Sequence, residues 1–237
     1  MGKMKKLMTE WREFLKEGLD PRIQKQLNAL LALDDIGIVL NVFAGGDGAE
    51  VKYVRIEDYE NEQFSELDED DAVVRQNRKV VATGIPYGGV ELSKTTEDAE
   101  GPCFDGYLVI GSRAQRGWGP LLYEVALEWT SQKGGGLMSD RFSVSDYALA
   151  VWDKYEKRSD VKPSQMDVNH DPDASGARVN SLMQQLTPDV RADDCDQALP
   201  ISRRNADWTK SPLSKIYSKD STDLMQALQK AKRLLVI

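Results

Sequence analysis

The chain has 237 residues, of which 41% are hydrophobic and 30% charged, and its formal net charge at pH 7 is -8. This composition is typical of a folded protein that buries its own core, and it excludes a disordered chain. No apolar run approaches the roughly 18 residues of a membrane-spanning helix. The acidic balance argues against nucleic-acid binding through the whole surface. We therefore expect neither a membrane nor a nucleic-acid partner.

Cysteine and histidine are too scarce to build a zinc site. The chain contains only Cys103, Cys195 and His170, whereas a structural zinc site uses four thiolate or imidazole ligands. A disulfide between the two cysteines stays open. The basic start, "MGKMKKLMTEWREFL", lacks the continuous apolar segment of a signal peptide. We expect a cytoplasmic protein without a metal ion.

The first predicted elements are two helices. Residues 1–18 place apolar side chains, a tryptophan among them, at helical spacing, and Gly18 ends the pattern. Pro21 suits the first turn of a second helix. The apolar stripe of the first helix either packs on the main domain or binds a partner. Its members are Met4, Leu7, Met8, Trp11, Phe14 and Leu15.

From Ile36 the apolar period changes to that of strands. "IGIVLNVFA" and "EVKYVRIED" predict two strands joined by "GGDG", a hairpin turn. The next segment, 57–71, carries nine acidic side chains among fifteen residues, which is typical of a solvated loop. Binding of a cation or of a basic partner is the alternative. "KVVATGIPY" and "GPCFDGYLVIGS" predict further strands.

The segment "QRGWGPLLYEVALEW", 115–129, places a glycine-rich turn between a strand and an amphipathic helix. Backbone N–H groups at a helix start can bind an anion, and glycine lets that anion approach closely. A tight turn without a ligand is the alternative. "GGG" ends the helix and "LMSDRF" predicts a short strand. Ser143 and Asp146 then have capping-box spacing at the start of a helix over "SVSDYALAVWDKYEKR".

The character of the chain changes again at about residue 159. Asp, Asn, Pro and Ser dominate "SDVKPSQMDVNHDPDASGARVN", and regular periodicity is weak. The pattern predicts an extended, loop-rich arm over 159–237, ending in a helix over "STDLMQALQKAKRLL". The apolar side of that helix consists of Leu224, Leu228, Ala231 and Leu235. The predicted parts are an N-terminal helix (1–20), a main domain (21–158) and this arm.

Over residues 104–157, the order strand, glycine-rich turn, helix, strand, helix resembles the core of the GNAT superfamily, the Gcn5-related N-acetyltransferases. The family signature is Arg/Gln-x-x-Gly-x-Gly/Ala. Arg116 aligns with its first position and Gly119 with its required glycine, while Leu121 departs from its final Gly/Ala. The resemblance implies an α/β (α+β) fold with a mixed central sheet flanked by helices, and an acyl-CoA-binding domain at 21–158.

A second family block, Asn-x-x-Ala-x-x-x-Tyr, is similar to "SDYALAVW" in this chain. Ala148 matches, Ser145 stands for the asparagine and Trp152 stands for the tyrosine. The spacing between the two blocks is also typical of the family. Together they carry a resemblance over about a quarter of the chain, which extends over 21–157 when the preceding strands are included.

The resemblance implies acetyl-CoA as the cofactor. Amides at the glycine-rich turn would contact the pyrophosphate, assisted by the helix dipole. Arg113 and Arg116 would add charge-assisted hydrogen bonds, or they are ordinary surface charges. The end of the preceding strand would pair with the pantetheine arm. The residues implied in cofactor binding are Ile110, Ser112, Arg113, Arg116, Gly117, Trp118, Gly119 and Leu121.

The reaction implied by the resemblance is transfer of acetyl to an amine, which needs a base for the amine and an acid for the departing thiolate. Trp152 holds the position of the family's tyrosine acid, and an indole cannot protonate a thiolate. Tyr155, three residues later, is the candidate acid, with packing as the alternative. Asp105 is the candidate base, and Glu91 and Asp140 are alternatives. The acidic surface suits an amine, polyamine or lysine-containing acceptor.

A second hypothesis is reuse of the GNAT fold without catalysis, as a structural or adaptor protein. Trp152 and Leu121 depart from the active-site pattern, and the N-terminal helix and C-terminal arm suit contacts with other protein subunits. The start "KKLMTEWREFL" and the tail "DWTKSPLSKIY" resemble GNAT-like proteins encoded by tailed bacteriophages, some of which are virion components. The implied location is then the host cytoplasm or the virion.

Overall fold

The computed structural model describes residues 19–59, 67, 73–76, 79–82, 86–94, 106–139, 144–165 and 210–237. The α-helices in these ranges are α1 (Pro21–Leu31), α2 (Gly119–Gln132), α3 (Asp146–Tyr155) and α4 (Asp223–Lys230). The strands are β1 (Ile36–Val42), β2 (Gly48–Arg55), β3 (Val73–Gln76), β4 (Lys79–Ala82), β5 (Gly88–Lys94), β6 (Tyr107–Ala114), β7 (Leu137–Ser139), β8 (Lys162–Gln165), β9 (Lys215–Ser218) and β10 (Leu234–Val236).

Three of the predicted segments fall outside these ranges. They are the amphipathic helix within residues 1–18, most of the acidic segment, and the arm from 166 to 209. Among the residues that the structure does describe, no helix is both long enough and apolar enough to cross a membrane.

Eight strands form one mixed sheet in the order β10-β1-β2-β5-β6-β7-β9-β8. The β1–β10 and β6–β7 pairs are parallel, and the other pairs are antiparallel. β3 and β4 form a separate antiparallel hairpin. The predicted fold class, a mixed α/β fold with a central sheet flanked by helices, is therefore confirmed.

The local signals read from the sequence explain several element boundaries. The Asp20 carboxylate accepts a hydrogen bond from the Arg22 amide at 2.8 Å, and Pro21 occupies the first turn of α1. Gly45 and Gly46 have φ values of 90° and 78°, so the predicted hairpin turn between β1 and β2 uses conformations that glycine adopts without strain.

The cap of α3 lies two residues later than predicted. The Ser145 hydroxyl accepts the hydrogen bond from the Ala148 amide at 3.2 Å. The capping-box spacing favoured Ser143, which has Asp146 three residues later, whereas Ser145 has Ala148 at that spacing. Ser143 itself lies outside the described residues.

The main core lies between one face of the sheet and the helices. Helix α2 contacts β2, β5, β6, β7 and β9 as well as α1 and α4, so it is the central helix of this layer. A smaller apolar cluster, formed by Met138, Ile216 and Leu108, lies apart from the main core. The largest fully buried side chains are Trp152, Tyr53, Tyr217, Leu27, Leu30, Ile36, Ile38, Leu40, Leu92, Leu121, Leu122 and Leu127.

The last 28 residues are built into the sheet. β9 pairs with β7, and β10 pairs with β1 through the register of Leu234 with Ile38. The final helix is shorter than predicted: α4 ends at Lys230, and Lys232 adopts a left-handed φ of 57°. Parallel pairing with β1 replaces the helical continuation that local spacing favoured, because tertiary contacts override a weak local preference.

A buried ionic cluster joins this C-terminal segment to α2. Lys219 Nζ lies 2.9 Å from Glu124 Oε1 and 3.0 Å from Glu128 Oε1, and both glutamates are fully buried. Arg158 donates two hydrogen bonds to Glu124, at 2.5 and 2.8 Å. Asp160 accepts hydrogen bonds from Arg158 at 2.9 and 2.5 Å.

Glu128 also supplies the N-terminal cap of α4. Its carboxylate accepts hydrogen bonds from the backbone amides of Leu224 at 3.1 Å and Met225 at 2.8 Å. Thr222, the residue at the cap position, makes no side-chain cap of its own. A side chain distant in sequence thus satisfies amides that a local cap leaves unpaired.

Candidate functional site

A cleft of about 650 Å³ opens beside the glycine-rich turn, between the end of β6, the start of α2 and the outer side of α3. Its walls include backbone and small side chains from β5, β6 and the turn. The described residues that line it are Gly89, Val90, Ser112, Arg113, Ala114, Gln115, Arg116, Gly117, Gly119, Pro120, Tyr123, Ser145, Tyr147, Ala148, Ala150, Val151 and Lys154.

The charge in this cleft is opposite to that of the chain as a whole. Its charged lining residues are Arg113, Arg116 and Lys154, and no Asp or Glu belongs to the described lining. The chain as a whole carries a net charge of -8. A concave surface with one sign of charge concentrates ligands of the opposite sign. The cleft is therefore suited to an anionic ligand.

The described pairing of β6 with β7 ends where the cleft continues. Pairing of β6 with β7 covers Tyr107–Val109, whereas β6 itself extends to Ala114. A smaller cavity of about 40 Å³ lies at this point, between β6, α2 and α3. The described residues around this smaller cavity are Val109, Ile110, Gly111, Ser112, Tyr123, Ser139, Val144, Ala148 and Trp152.

A β-bulge in β6 lies at the same place. Glu91 pairs with Gly111 and Leu92 pairs with Val109, so Ile110 is an extra residue in β6. A bulge removes one residue from the ladder and redirects its neighbours. Ile110 is 49% exposed, which is unusual for a large apolar side chain in a central strand. The strand therefore presents an apolar, irregular surface next to the smaller cavity.

The glycine-rich turn is held from its inner side by two hydrogen bonds to its carbonyl groups. The Gln26 side chain donates to the Gly117 carbonyl, and the Tyr53 hydroxyl donates to the Trp118 carbonyl at 2.9 Å. Gly117 has a φ of 93°, which a residue with a side chain adopts only with strain. A Cβ placed on Gly119 would meet only the Ala114 Cβ, at 3.5 Å. The two hydrogen bonds hold the turn on its inner side, whereas the space at Gly117 and Gly119 is open.

The predicted cofactor residues divide between cleft and core. Ser112, Arg113, Arg116, Gly117 and Gly119 line the large cleft, and Ile110 and Ser112 line the smaller cavity. Neither set includes Trp118 or Leu121.

Trp118 faces the protein interior. Its amide donates to the Gln115 carbonyl at 3.0 Å, so that amide is engaged inside the turn. Its ring meets the edge of Tyr53, with ring centroids 5.8 Å apart. It therefore does not plug the cleft. Leu121 is fully buried, so its side chain belongs to the core.

Tyr155, the predicted acid, lies in the core and lines neither of these two spaces. Its ring packs edge-on against Trp152 at 5.8 Å, and its buried hydroxyl has no hydrogen-bond partner. Burial raises the pKa of Tyr155 well above its usual value, and the charge of Glu124 raises this pKa further. A separate cavity of about 30 Å³ adjoins it, on the side of Asp20 and Arg22. The structure favours the packing alternative for Tyr155.

Of the three candidate bases, Glu91 is the one that the structure describes, and it does not line the cleft. Asp105 and Asp140 lie outside the described residues. Glu91 is exposed and paired with Gly111, whereas its neighbour Val90 belongs to the core. Because successive side chains of a strand point to opposite faces, Glu91 lies on the sheet face away from α2.

Tyr123 is a site residue that the sequence reasoning missed. It lies on α2, is 4% exposed, and lines both the large cleft and the smaller cavity. Its hydroxyl donates a hydrogen bond to Ser112 Oγ at 3.0 Å. Burial raises the pKa of Tyr123, and the hydrogen bond to Ser112 offsets part of that effect. One signal was present: Tyr123 follows Gly119 by four residues, so both lie on one side of the helix.

Replacing Tyr155 with phenylalanine tests its assignment to the core. The substitution removes a buried hydroxyl without a partner, and such a group destabilises a protein by about 1–3 kcal/mol. We expect an unchanged or higher free energy of unfolding, measured by urea denaturation, and unchanged ligand binding. A loss of more than about 1 kcal/mol would show that the hydroxyl has a stabilising partner.

Within the described part of the chain, no three His, Cys, Asp or Glu side chains come together as a metal site. Comparison of the chain with models of protein families, with curated proteins and with solved structures finds no match.

Proposed function

We propose that this protein binds acetyl-CoA in the cleft and transfers the acetyl group to an amine. The observation that carries the proposal is the cleft itself, which has exclusively cationic charged lining among the described residues of an acidic chain. Acetyl-CoA has a phosphorylated, anionic end and a neutral pantetheine arm. The cleft likewise has a cationic region at the glycine-rich turn and a neutral region along β6.

Three features support binding of the phosphate groups of acetyl-CoA at the glycine-rich turn. Gly117 and Gly119 leave the front of the turn without side chains, so a phosphate can approach the backbone. The turn opens directly into α2, whose N-terminus carries a partial positive charge. Arg113 and Arg116 are positioned on the same wall and can add charge-assisted hydrogen bonds to phosphate oxygens.

The part of β6 that follows its described pairing with β7 supports binding of the pantetheine arm. The pantetheine arm contains two amide groups, and an extended amide chain can hydrogen-bond to an exposed strand edge. From Ile110 to Ala114, β6 has no partner on its β7 side among the residues that the structure describes. The exposed side chain of Ile110 offers an apolar contact to the arm at the same place.

The overall charge supports a cationic acceptor. A net charge of -8 raises the local concentration of polyamines and lysine-rich peptides around the protein. The described lining of the cleft contains no carboxylate. In this proposal the cofactor fills the cleft, so the amine approaches from outside it.

Non-catalytic reuse of the fold, in a virion or as an adaptor, is the second candidate. The observation that favours it concerns Trp152, which is 1% exposed and stacked on Tyr217 with ring centroids 5.6 Å apart. This position carries the acid in the resembling family, and in this chain it is part of the core. The two candidates agree on the fold and differ in turnover.

Calorimetric titration of the full chain with acetyl-CoA tests the proposal. We expect a Kd in the micromolar range that weakens at high salt, because phosphate contacts are screened. Acetyl-pantetheine, which lacks the phosphates, is the matched ligand and should bind at least about tenfold more weakly. Undetectable binding of acetyl-CoA would overturn the proposal. Binding without thiol release in the presence of spermidine or lysine peptides would favour the non-catalytic candidate.

A further inference from the structure

The smaller cavity contains hydroxyl groups where an acyl transfer needs an acid. Its described lining includes Ser112, Tyr123 and Ser139, together with the indole of Trp152. The lining described here has no carboxylate, imidazole or lysine. A phenol, with a pKa near 10, is far more acidic than an alcohol or an indole. Tyr123 is therefore the strongest proton donor at this point of the cleft.

We propose that Tyr123, acting through Ser112, supplies the proton to the CoA thiolate that departs during acetyl transfer. The proposal rests on acetyl-CoA as the ligand, and it replaces Tyr155 as the acid. It also removes the need for a tyrosine at the position of Trp152.

The two hydroxyls form an ordered pair. Tyr123 Oη donates to Ser112 Oγ at 3.0 Å, so the serine oxygen accepts that hydrogen and keeps its own hydrogen to donate. Ser112 is exposed and lines both the large cleft and the smaller cavity. The serine thus connects the buried phenol to the space that a ligand would occupy.

The position of Tyr123 is fixed by packing. Its ring meets the edge of Trp152 with centroids 5.8 Å apart and an interplanar angle of 85°. Burial keeps the phenol protonated at neutral pH because it disfavours the charged phenolate. Trp152 therefore acts as the support of the proton donor rather than as a substitute for it.

The step balances as follows. The neutral amine nitrogen attacks the thioester carbonyl carbon, the C–S bond breaks, and the sulfur takes the Ser112 hydroxyl proton. Ser112 takes the proton of Tyr123, and the nitrogen loses its surplus proton to solvent, from which the phenolate is reprotonated. The products are the N-acetyl amine and free CoA thiol, and no oxidant or reductant is needed.

Titration of the thiol of bound CoA tests the pair without requiring an acceptor. A thiolate is stabilised by a hydrogen-bond donor, so the pKa of the bound thiol in the wild type should lie below that in Tyr123→Phe by about 1. The thiolate absorbance in the ultraviolet, followed against pH at saturating CoA, gives both values. Ser112→Ala should produce the same rise and serves as the second variant if Tyr123→Phe fails to fold.

Two further measurements separate the possible failures. Tyr217→Phe removes a buried hydroxyl that donates to the Pro212 carbonyl at 2.6 Å, away from the cleft, and should leave the thiol pKa unchanged. With spermidine as acceptor, kcat should fall at least about 100-fold in Tyr123→Phe while the KM for acetyl-CoA stays within about threefold. Equal thiol pKa values in wild type and both variants would overturn the proposed role of Tyr123 and Ser112 and leave the proposed function standing. Failure of the wild type to bind CoA would overturn the proposed function with it.

Discussion

Replacing Gly119 with glutamate is expected to weaken acetyl-CoA binding at least about 100-fold, an effect of roughly 3 kcal/mol. The substitution places a carboxylate in the cleft lined by Arg113 and Arg116, where it would neutralise cationic charge. It would also occupy the open front of the turn, so a phosphate could no longer approach the backbone. Calorimetric titration of the variant with acetyl-CoA measures the loss.

Alanine at the same position is the matched control for folding. A Cβ on Gly119 lies 3.5 Å from the Ala114 Cβ, an ordinary van der Waals distance, and the residue starts a helix in which alanine is favourable. We therefore expect Gly119→Ala to keep the stability of the wild type and to retain measurable binding. If Gly119→Glu folded and bound acetyl-CoA within about threefold of the wild type, the ligand would lie elsewhere.

Replacing Lys219 with methionine is expected to cost about 3–5 kcal/mol of folding free energy, the largest stability effect that we predict. Lys219 lies between Glu124 and Glu128, and all three side chains are buried. Its removal leaves Glu128, among the described residues, without the cation that pairs with it in a site where burial already disfavours charge. Arg158 still donates two hydrogen bonds to Glu124, so the charge of Glu124 stays compensated and the loss of stability is limited.

The loss should depend on pH in a defined direction. Burial raises the pKa of Glu128 to about 7, although Lys219 and the α4 amides act against that rise. The folded state therefore holds the Glu128 proton at pH values at which the unfolded state has already lost it. The contribution of Glu128 to the free energy of unfolding falls as the pH rises from about 4.5 through 7. Without Lys219 the pKa of Glu128 rises further. The difference between variant and wild type should therefore be smaller at pH 5 than at pH 8.

Urea denaturation at these two pH values measures the effect. The matched control is Lys162→Met, because Lys162 pairs with Asp220 at 2.6 Å and both side chains are more than half exposed. An exposed ion pair contributes about 0–1 kcal/mol, so this control should change stability little. Equal losses in the two variants would contradict the assignment of the Lys219 cluster as a structural anchor.

The Lys219 cluster also connects stability to the proposed site. Helix α2 begins at the glycine-rich turn, and it carries Glu124 and Glu128 about one and a half and two and a half turns later. The C-terminal segment, through Lys219 and the capped end of α4, fixes the outer part of this helix. The proposed ligand site lies at the start of α2. The helix is therefore held in place by contacts with residues about 90 positions later in the chain.

Much of the central domain follows from local patterns. The hairpin glycines, the proline of α1, and the strand-turn-helix order before α2 were all readable, because turn chemistry and apolar periodicity act over a few residues. Strand β5 was not predicted. It begins with two glycines, and the first lies where the backbone of a neighbouring strand approaches closely: a Cβ on Gly88 would lie 2.1 Å from the Arg113 carbonyl oxygen.

The sequence predicted where the backbone of the candidate site lies, but it did not predict which aromatic side chains face the cleft. The turn, with Arg116, Gly117 and Gly119, follows from the order of residues. Whether an aromatic side chain faces a cleft or the core depends on the neighbouring helices and strands. Tyr155 packs against Trp152 and Tyr217, whereas Tyr123, which had no motif to mark it, reaches the cleft.

The sequence by itself determined the hairpin, the position of the glycine-rich turn and the acidic character of the chain, because these depend on composition and on spacings of a few residues. The mixed α/β class was implied by the resemblance to the GNAT core. Only the tertiary structure decided that residues 210–237 complete the sheet, that Lys219 neutralises two buried glutamates, and that the cleft is cationic. The pairing of Ile38 with Leu234 joins positions nearly 200 residues apart. No local pattern encodes such a contact, since it arises only when the whole sheet forms.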